Sequence, residues 1–169
     1  MLNRIVLFLL AGLVLLLAVY LIIGPARVWR LAGEPDLGEV DFATLQRRPY
    51  PNDALVCPAG ACAARRDAES PVFTMSASVL RGRFLKAIAA ELRLERVDGG
   101  QDPLALRFIQ RSRVMAFPDT VNVRFVDVGG GASSVMLYSR SQLGRDDYGV
   151  NGERIARWLA LLAQEMAGG

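Results

Sequence analysis

Ile5 to Ile23 reads IVLFLLAGLVLLLAVYLII, nineteen residues without a charge, and no other feature constrains this chain so tightly. At ~1.5 Å rise per residue, a helix of that length covers roughly the ~30 Å hydrocarbon core of a bilayer. A cleavable signal peptide has an apolar core of about 7–15 residues, shorter than this run. No A-x-A pattern follows closely, and no cysteine follows that a lipid could modify. A core helix of a globular protein keeps a polar face, and this run has none. The expectation is an uncleaved transmembrane anchor that contacts the lipid bilayer through residues 5–23.

The charges sort around that run. The chain has 20 basic and 17 acidic residues, a formal charge of +3. Arg4, Arg27 and Arg30 flank the apolar run, and setting these three aside leaves 17 basic against 17 acidic. The globular part is therefore neutral, and no basic face for nucleic acid follows. Arg4 favours a cytoplasmic amino terminus, while Arg27 and Arg30 pull the other way. The short amino-terminal tail favours a globular domain outside, so a single-pass inner-membrane protein with a periplasmic domain is expected.

Histidine is absent from the sequence. That excludes Ser-His-Asp and Cys-His sites, histidine metal ligands and an imidazole proton shuttle. Carboxylates, Ser-Arg arrangements or a cysteine remain for catalysis. No motif requires a cofactor. Cys57 and Cys62 lie in CPAGAC, where Pro58 and Gly60 favour a turn that brings them into disulfide range. Two free thiols or half of a metal site are the alternatives, and the chain has no further cysteine and no histidine to complete a tetrahedral metal set.

Three segments are expected: an anchor with its flanks (1–27), a linker and wrapping segment (28–70), and an α+β domain (71–169). The second is rich in Pro, Gly and acids and has no sustained periodicity. Phe42, Leu45, Tyr50 and Val56 would pin it to the domain; a disordered stalk as far as Pro49 is the alternative. From PVFTM onward the order reads β-α-β-β-β-β-α. Leu80, Phe84, Ile88 and Leu92 recur every four residues, predicting an amphipathic helix over about 79–91 capped by Ser76 or Ser78. Gly82 inside it suggests close packing against a neighbour. The period then changes to two, with Val121, Val123, Phe125, Val135 and Leu137 on one strand face and Met136 and Tyr138 on the other. Gly129–Gly131 forms a hairpin turn. Ile155, Trp158, Leu159, Leu162 and Met166 form one stripe on a last helix capped by Asn151. An antiparallel sheet with one apolar face and two helices on that face satisfies this pattern. A helix-grip fold, with the sheet curled around the last helix over a cavity, is the variant.

The densest polar stretch is SRSQLGRDDYGVNGERI, Ser139 to Ile155, at the joint between the last strand and the last helix. As a ligand site, Arg140, Ser141, Arg145 and the first amides of the helix near Asn151 would bind an anion, with Arg154 on the helix's first turn. Asp146 or Asp147 would then serve as base or cation ligand. As structural joinery, the same residues are a cap, turns, and an Arg140–Asp147 pair fastening the loop to the sheet. Arg124 could reach the same loop or simply lie on a solvated strand face.

These residues carry a resemblance. The combination of PND near a cysteine, RFIQRSRVMAFPDTVNVRF and S-R-S-x-x-G-x-x-D-x-G-x-N-x-x-R-I resembles the DUF1499 family, uncharacterised bacterial and plastid proteins. It runs from about Pro51 to Leu162. The resemblance singles out Asp147 over Asp146 and implies one domain in an envelope or membrane setting, with no reaction attached. Where the family often has a cysteine after Pro-Asn, this chain has Asp53. The functional expectation is a membrane-anchored, non-enzymatic domain binding a ligand or an envelope protein partner. The alternatives are a hydrolase-like enzyme using Asp147 and Arg140, and a carrier of a hydrophobic ligand.

Overall fold

The computed structural model describes residues 2–168. Helix α1 (Leu2–Ile23) is long and apolar enough to cross a membrane, and none of that apolar span is buried against the rest of the chain. Gly24 ends it with a φ of 83°, a backbone conformation that residues with a Cβ resist. A short helix α2 (Pro25–Val28) and a 3₁₀ turn (Trp29–Ala32) follow.

The globular part is an α+β fold around a mixed, open, seven-stranded sheet. Its strands are β1 (Asp53–Cys57), β2 (Ala68–Glu69), β3 (Val72–Phe73), β4 (Leu94–Arg96), β5 (Ala105–Arg111), β6 (Pro118–Gly129) and β7 (Ala132–Ser141). Helix α3 (Ala77–Ala87) lies between β3 and β4, and α4 (Val150–Ala167) follows β7. From β3 onward the order is the expected β-α-β-β-β-β-α. The spatial order is β2-β1-β7-β6-β5-β4, with β3 continuing the β1 edge against β7. Strands β1 and β2 run parallel, and the other paired strands run antiparallel. The long β6–β7 hairpin turns at Gly129–Gly131, all with positive φ.

Both helices pack on one sheet face. Leu80 and Phe84 of α3 and Ile155, Trp158 and Leu162 of α4 meet Leu106, Phe108, Val121, Val123, Phe125, Val135 and Leu137. Trp158 is fully buried and meets Phe84 and Phe108 edge to face, with ring centroids 5.8 and 5.9 Å apart. These rings occupy the space in which a helix-grip fold would hold its cavity.

The second face departs from the expectation of a single apolar face. Leu55, Cys57, Met136 and Tyr138 are buried there beneath Phe42 and Leu45. The stretch between residues 36 and 64 covers this face, and its own strand β1 pairs with β7 inside the sheet. Phe42, Leu45 and Val56 are buried as expected, but Tyr50 is exposed. Cys57 and Cys62 form a disulfide with Cα atoms 6.2 Å apart, fastening the turn after β1 to this layer.

Helix α3 is shorter than its apolar stripe. Ser76 caps it by accepting from the Val79 amide, but the helix ends at Ala87. Arg93 adopts a φ of 58°, and Leu92 is 70% exposed instead of continuing the stripe. Nor does close packing demand Gly82: a Cβ there would meet nothing within 4 Å. Gly82→Ala should therefore raise stability by roughly 0.5–1 kcal/mol, measured by chemical denaturation, because it removes backbone freedom from the unfolded chain.

Candidate functional site

The end of β7 and the start of α4 meet in a buried polar cluster. Because β7 alternates, Ser139 and Ser141 point to the helix-covered face that also receives Val135 and Leu137. Asn151 and Arg154 lie three residues apart, on the same side of α4's first turns. Ser139, Asn151 and Arg154 are all nearly or wholly buried.

The contacts form a connected set, in which Asn52 Oδ1 is buried without a partner. One Arg154 guanidinium nitrogen, Nη1, donates to Ser139 Oγ (2.7 Å) and Asn151 Oδ1 (2.6 Å). The other, Nη2, donates to Asp119 Oδ2 in a buried ion pair. Ser139 Oγ also donates to Asn151 Oδ1 (2.5 Å). Asn151 Nδ2 shares its two hydrogens among Asp147 Oδ2 (2.6 Å), Ser141 Oγ (2.9 Å) and the Asn52 carbonyl (3.2 Å). Asn52 in turn donates through Nδ2 to the Gly144 carbonyl (2.8 Å). The segment before β1, the β7–α4 loop and the helix start are thereby joined.

Asn151 is not the helix cap. Gly149 holds that position with a φ of 83° and no side chain to offer. Asp147 supplies the missing acceptor: its Oδ1 takes the Gly149 amide (2.9 Å), and its Oδ2 the Asn151 amide (3.0 Å). A carboxylate beside a helix amino terminus is favoured by the helix dipole as well as by these bonds. Asp146 only closes its own loop, accepting from the Tyr148 amide.

Arg140 and Asp147 are not brought together. One step along a strand reverses the side chain, so Arg140 lies on the opposite face with Met136 and Tyr138. There it donates to the carbonyls of Leu37 (2.7 Å) and Gly38 (2.9 Å) and stacks over the Tyr138 ring at 5.6 Å. Burial holds its guanidinium below the usual arginine value. Beside it, Tyr138 donates to Asp53 Oδ2 (2.6 Å), and Arg47 is ion-paired to the same carboxylate. Burial, reinforced by Asp53, pushes the Tyr138 phenol well above its ordinary value. Arg145 lies over Tyr50, and Arg124 pairs with Asp102, so neither joins the cluster.

Of the expected site residues, Ser141, Asp147, Asn151 and Arg154 converge and Arg140 does not. Sequence reasoning missed Asn52, Asp119 and Ser139 as members. The signal for Ser139 was present: it shares the strand parity of Val135 and Leu137. Asp119 stands opposite Ser141 in the β6–β7 register, which no local pattern reveals.

Two losses of stability are expected from this geometry, and they should be independent. Asp147→Ala removes the acceptor of α4's first amides and should cost about 1–2 kcal/mol. Arg140→Ala releases residues 37 and 38 from the far face and should cost about 1–3 kcal/mol. In a double-mutant cycle read by chemical denaturation, their coupling should stay within about 0.5 kcal/mol. A larger coupling would mean that the two side chains act on one another after all.

A cavity of about 270 Å³ opens beside the cluster. Phe117, Leu143, Tyr148 and Val150 line it, together with the buried Asp119 and Ser141 and, nearer solvent, Ser112, Asp146 and Asp147. Its walls suit an apolar group, and its only buried carboxylate is already held by Arg154. Most polar groups of the cluster thus serve one another, and the surface exposed in the space next to them is mostly apolar.

No curated protein matches the chain. Residues 56–162 match the family described as "Protein of unknown function (DUF1499)", a span that runs from β1 through most of α4 and takes in Asp119, Ser139, Asp147, Asn151 and Arg154. That match covers well over half of the 169 residues, and the chain belongs to the DUF1499 family.

Proposed function

We propose that this protein is a membrane-anchored, non-enzymatic binding domain of the cell envelope, facing the periplasm, and that the 270 Å³ cavity is its ligand site. One observation carries the reading. The carboxylates, hydroxyls and arginine of the polar cluster are engaged with one another, while the adjoining cavity presents apolar walls that the chain itself leaves uncovered. A fixed, internally paired cluster supports a rigid wall better than it supports proton transfer. Separation of Arg140 from Asp147 removes the pair on which a hydrolytic reading depended.

The apolar α1 supports anchoring. The Cys57–Cys62 disulfide supports an oxidising compartment such as the periplasm. A fusion of alkaline phosphatase after the last helix should be active and a green fluorescent protein fusion dark; the reverse pattern places the domain in the cytoplasm. A photoreactive fatty acid should label peptides containing Phe117, Leu143 or Tyr148, and Val150→Trp, which fills the cavity, should abolish that labelling. Labelling that ignores the filled cavity rules it out as the site.

A further inference from the structure

One end of the sheet gathers most of the exposed large apolar side chains of the globular part. Beyond α1, the large hydrophobic residues left exposed are Leu31, Tyr50, Leu92, Val114, Met115, Phe117, Tyr148 and Val150 at that end, and Val72, Val79 and Val128 elsewhere. Strand register establishes the grouping. Arg111 pairs with Pro118, Gln110 with Leu94, Ser141 with Asp119 and Arg140 with Asp53. The loops outside these pairs therefore share one end. Val128, ten residues along β6 from Pro118, stands ~33 Å away at ~3.3 Å per residue.

The same end receives the chain from α1. Trp29 follows Ile23 by only six residues, ~9 Å if helical. Its ring packs on Phe117 with centroids 4.7 Å apart, and its indole N–H donates to the Met115 carbonyl. The cavity's rim is thus tied to the point where the chain leaves the apolar span. Aromatic side chains at such a point belong at the headgroup level of a bilayer.

Charge points the same way. Arg27, Arg30, Arg93, Arg113 and Arg145 are exposed in the segments 24–34, 88–93, 112–117 and 142–149. None of the five is in an ion pair among the described residues. The acids of those segments are Glu34, Glu91, Asp146 and Asp147; Glu91 is taken by Arg157, and Asp147 by the start of α4. Unpaired arginines around exposed apolar side chains match an anionic phospholipid surface, with phosphates outside and acyl chains beneath.

We infer that this end of the domain is a second membrane contact: Val114 and Met115, with Phe117 and Tyr148 of the cavity's rim, seat in the anionic leaflet next to the anchor. The proposal rests on the anchoring part of the reading above and not on what the cavity binds. It goes further in giving the domain a fixed posture, sheet upright on the bilayer with the cavity mouth at the lipid headgroups.

Nitroxide labelling tests this on the full chain. Both cysteines are in the disulfide, so a single introduced cysteine is labelled alone. Leu16→Cys, Val114→Cys, Tyr148→Cys and Val128→Cys are each reconstituted in vesicles of phosphatidylcholine and phosphatidylglycerol, and accessibility to oxygen and to an aqueous nickel chelate is read by power saturation. Leu16 reports the anchor. Val114 and Tyr148 should resemble it, with an oxygen-to-nickel ratio several-fold above that of Val128. The ratio at Val114 should fall when Arg30 and Arg113 are both changed to Glu, or when phosphatidylglycerol is omitted. If Leu16 is lipid-exposed while Val114 and Tyr148 match Val128, anchoring stands and the contact is overturned; that is also the result if the rim serves a protein partner. If Leu16 itself is aqueous, the anchoring reading and this proposal fall together.

Discussion

Arg154→Met should destabilise the protein by about 3–5 kcal/mol, a large share of the roughly 5–15 kcal/mol that holds a domain together. Arg154 is 3% exposed and its partner Asp119 4%. Removing the guanidinium strands a buried carboxylate and deprives Ser139 Oγ and Asn151 Oδ1 of a charged donor. Chemical denaturation of the full chain in detergent micelles measures the loss. The pair, however, adds less than its breakage costs, because two charges were desolvated to make it. Arg154→Met combined with Asp119→Leu should therefore recover much of the stability lost in the single variant. A single-variant loss under about 1 kcal/mol, far below what stranding a buried charge costs, would show that the cluster does not hold the joint. A double variant no better than the single one would mean that the stranded Asp119 is not the source of the damage.

The second large effect lies one turn further along α4. Trp158→Ala should cost about 3–5 kcal/mol, the range for emptying a large aromatic site in a core that cannot collapse. Trp158 is 0% exposed and meets Phe84 of α3 and Phe108 of β5 edge to face, so one side chain couples both helices to the sheet. Trp158→Phe keeps a ring and should lose distinctly less. Far-ultraviolet dichroism during denaturation reads the transition, because the substitution itself alters fluorescence. Since Arg154 and Trp158 sit four residues apart on one helix, their losses are not expected to add. An alanine variant as stable as the native chain would place the hinge between helices and sheet elsewhere.

The core was legible because period survives in sequence. Val121, Val123 and Phe125 alternate with polar neighbours, and Ile155, Trp158 and Leu162 recur at helical spacing; both groups are buried where that pattern puts them. Helix α3 misled at its end, since Leu92 has the right spacing but follows a break that spacing does not register. The buried second face was hidden for a different reason. Met136 and Tyr138 look like the exposed side of a half-buried strand until a segment ninety residues earlier in the chain is laid over them.

The candidate site divides along the same line. Ser139, Ser141, Asp147, Asn151 and Arg154 lie within sixteen residues, so their density was visible, and strand parity alone sends Arg140 to the other face. The partners that complete the cluster, Asn52 and Asp119, come from remote positions.

By itself the sequence determined the apolar span, the order of the elements from β3 onward and the faces that α3 and α4 bury, because each follows from side-chain periodicity within one segment. Only the tertiary structure decided that the sheet is covered on both sides, that Arg154 answers Asp119, and that the exposed apolar loops share the end where the anchor enters. Those depend on which distant segments meet, and strand register, not local pattern, brings them together.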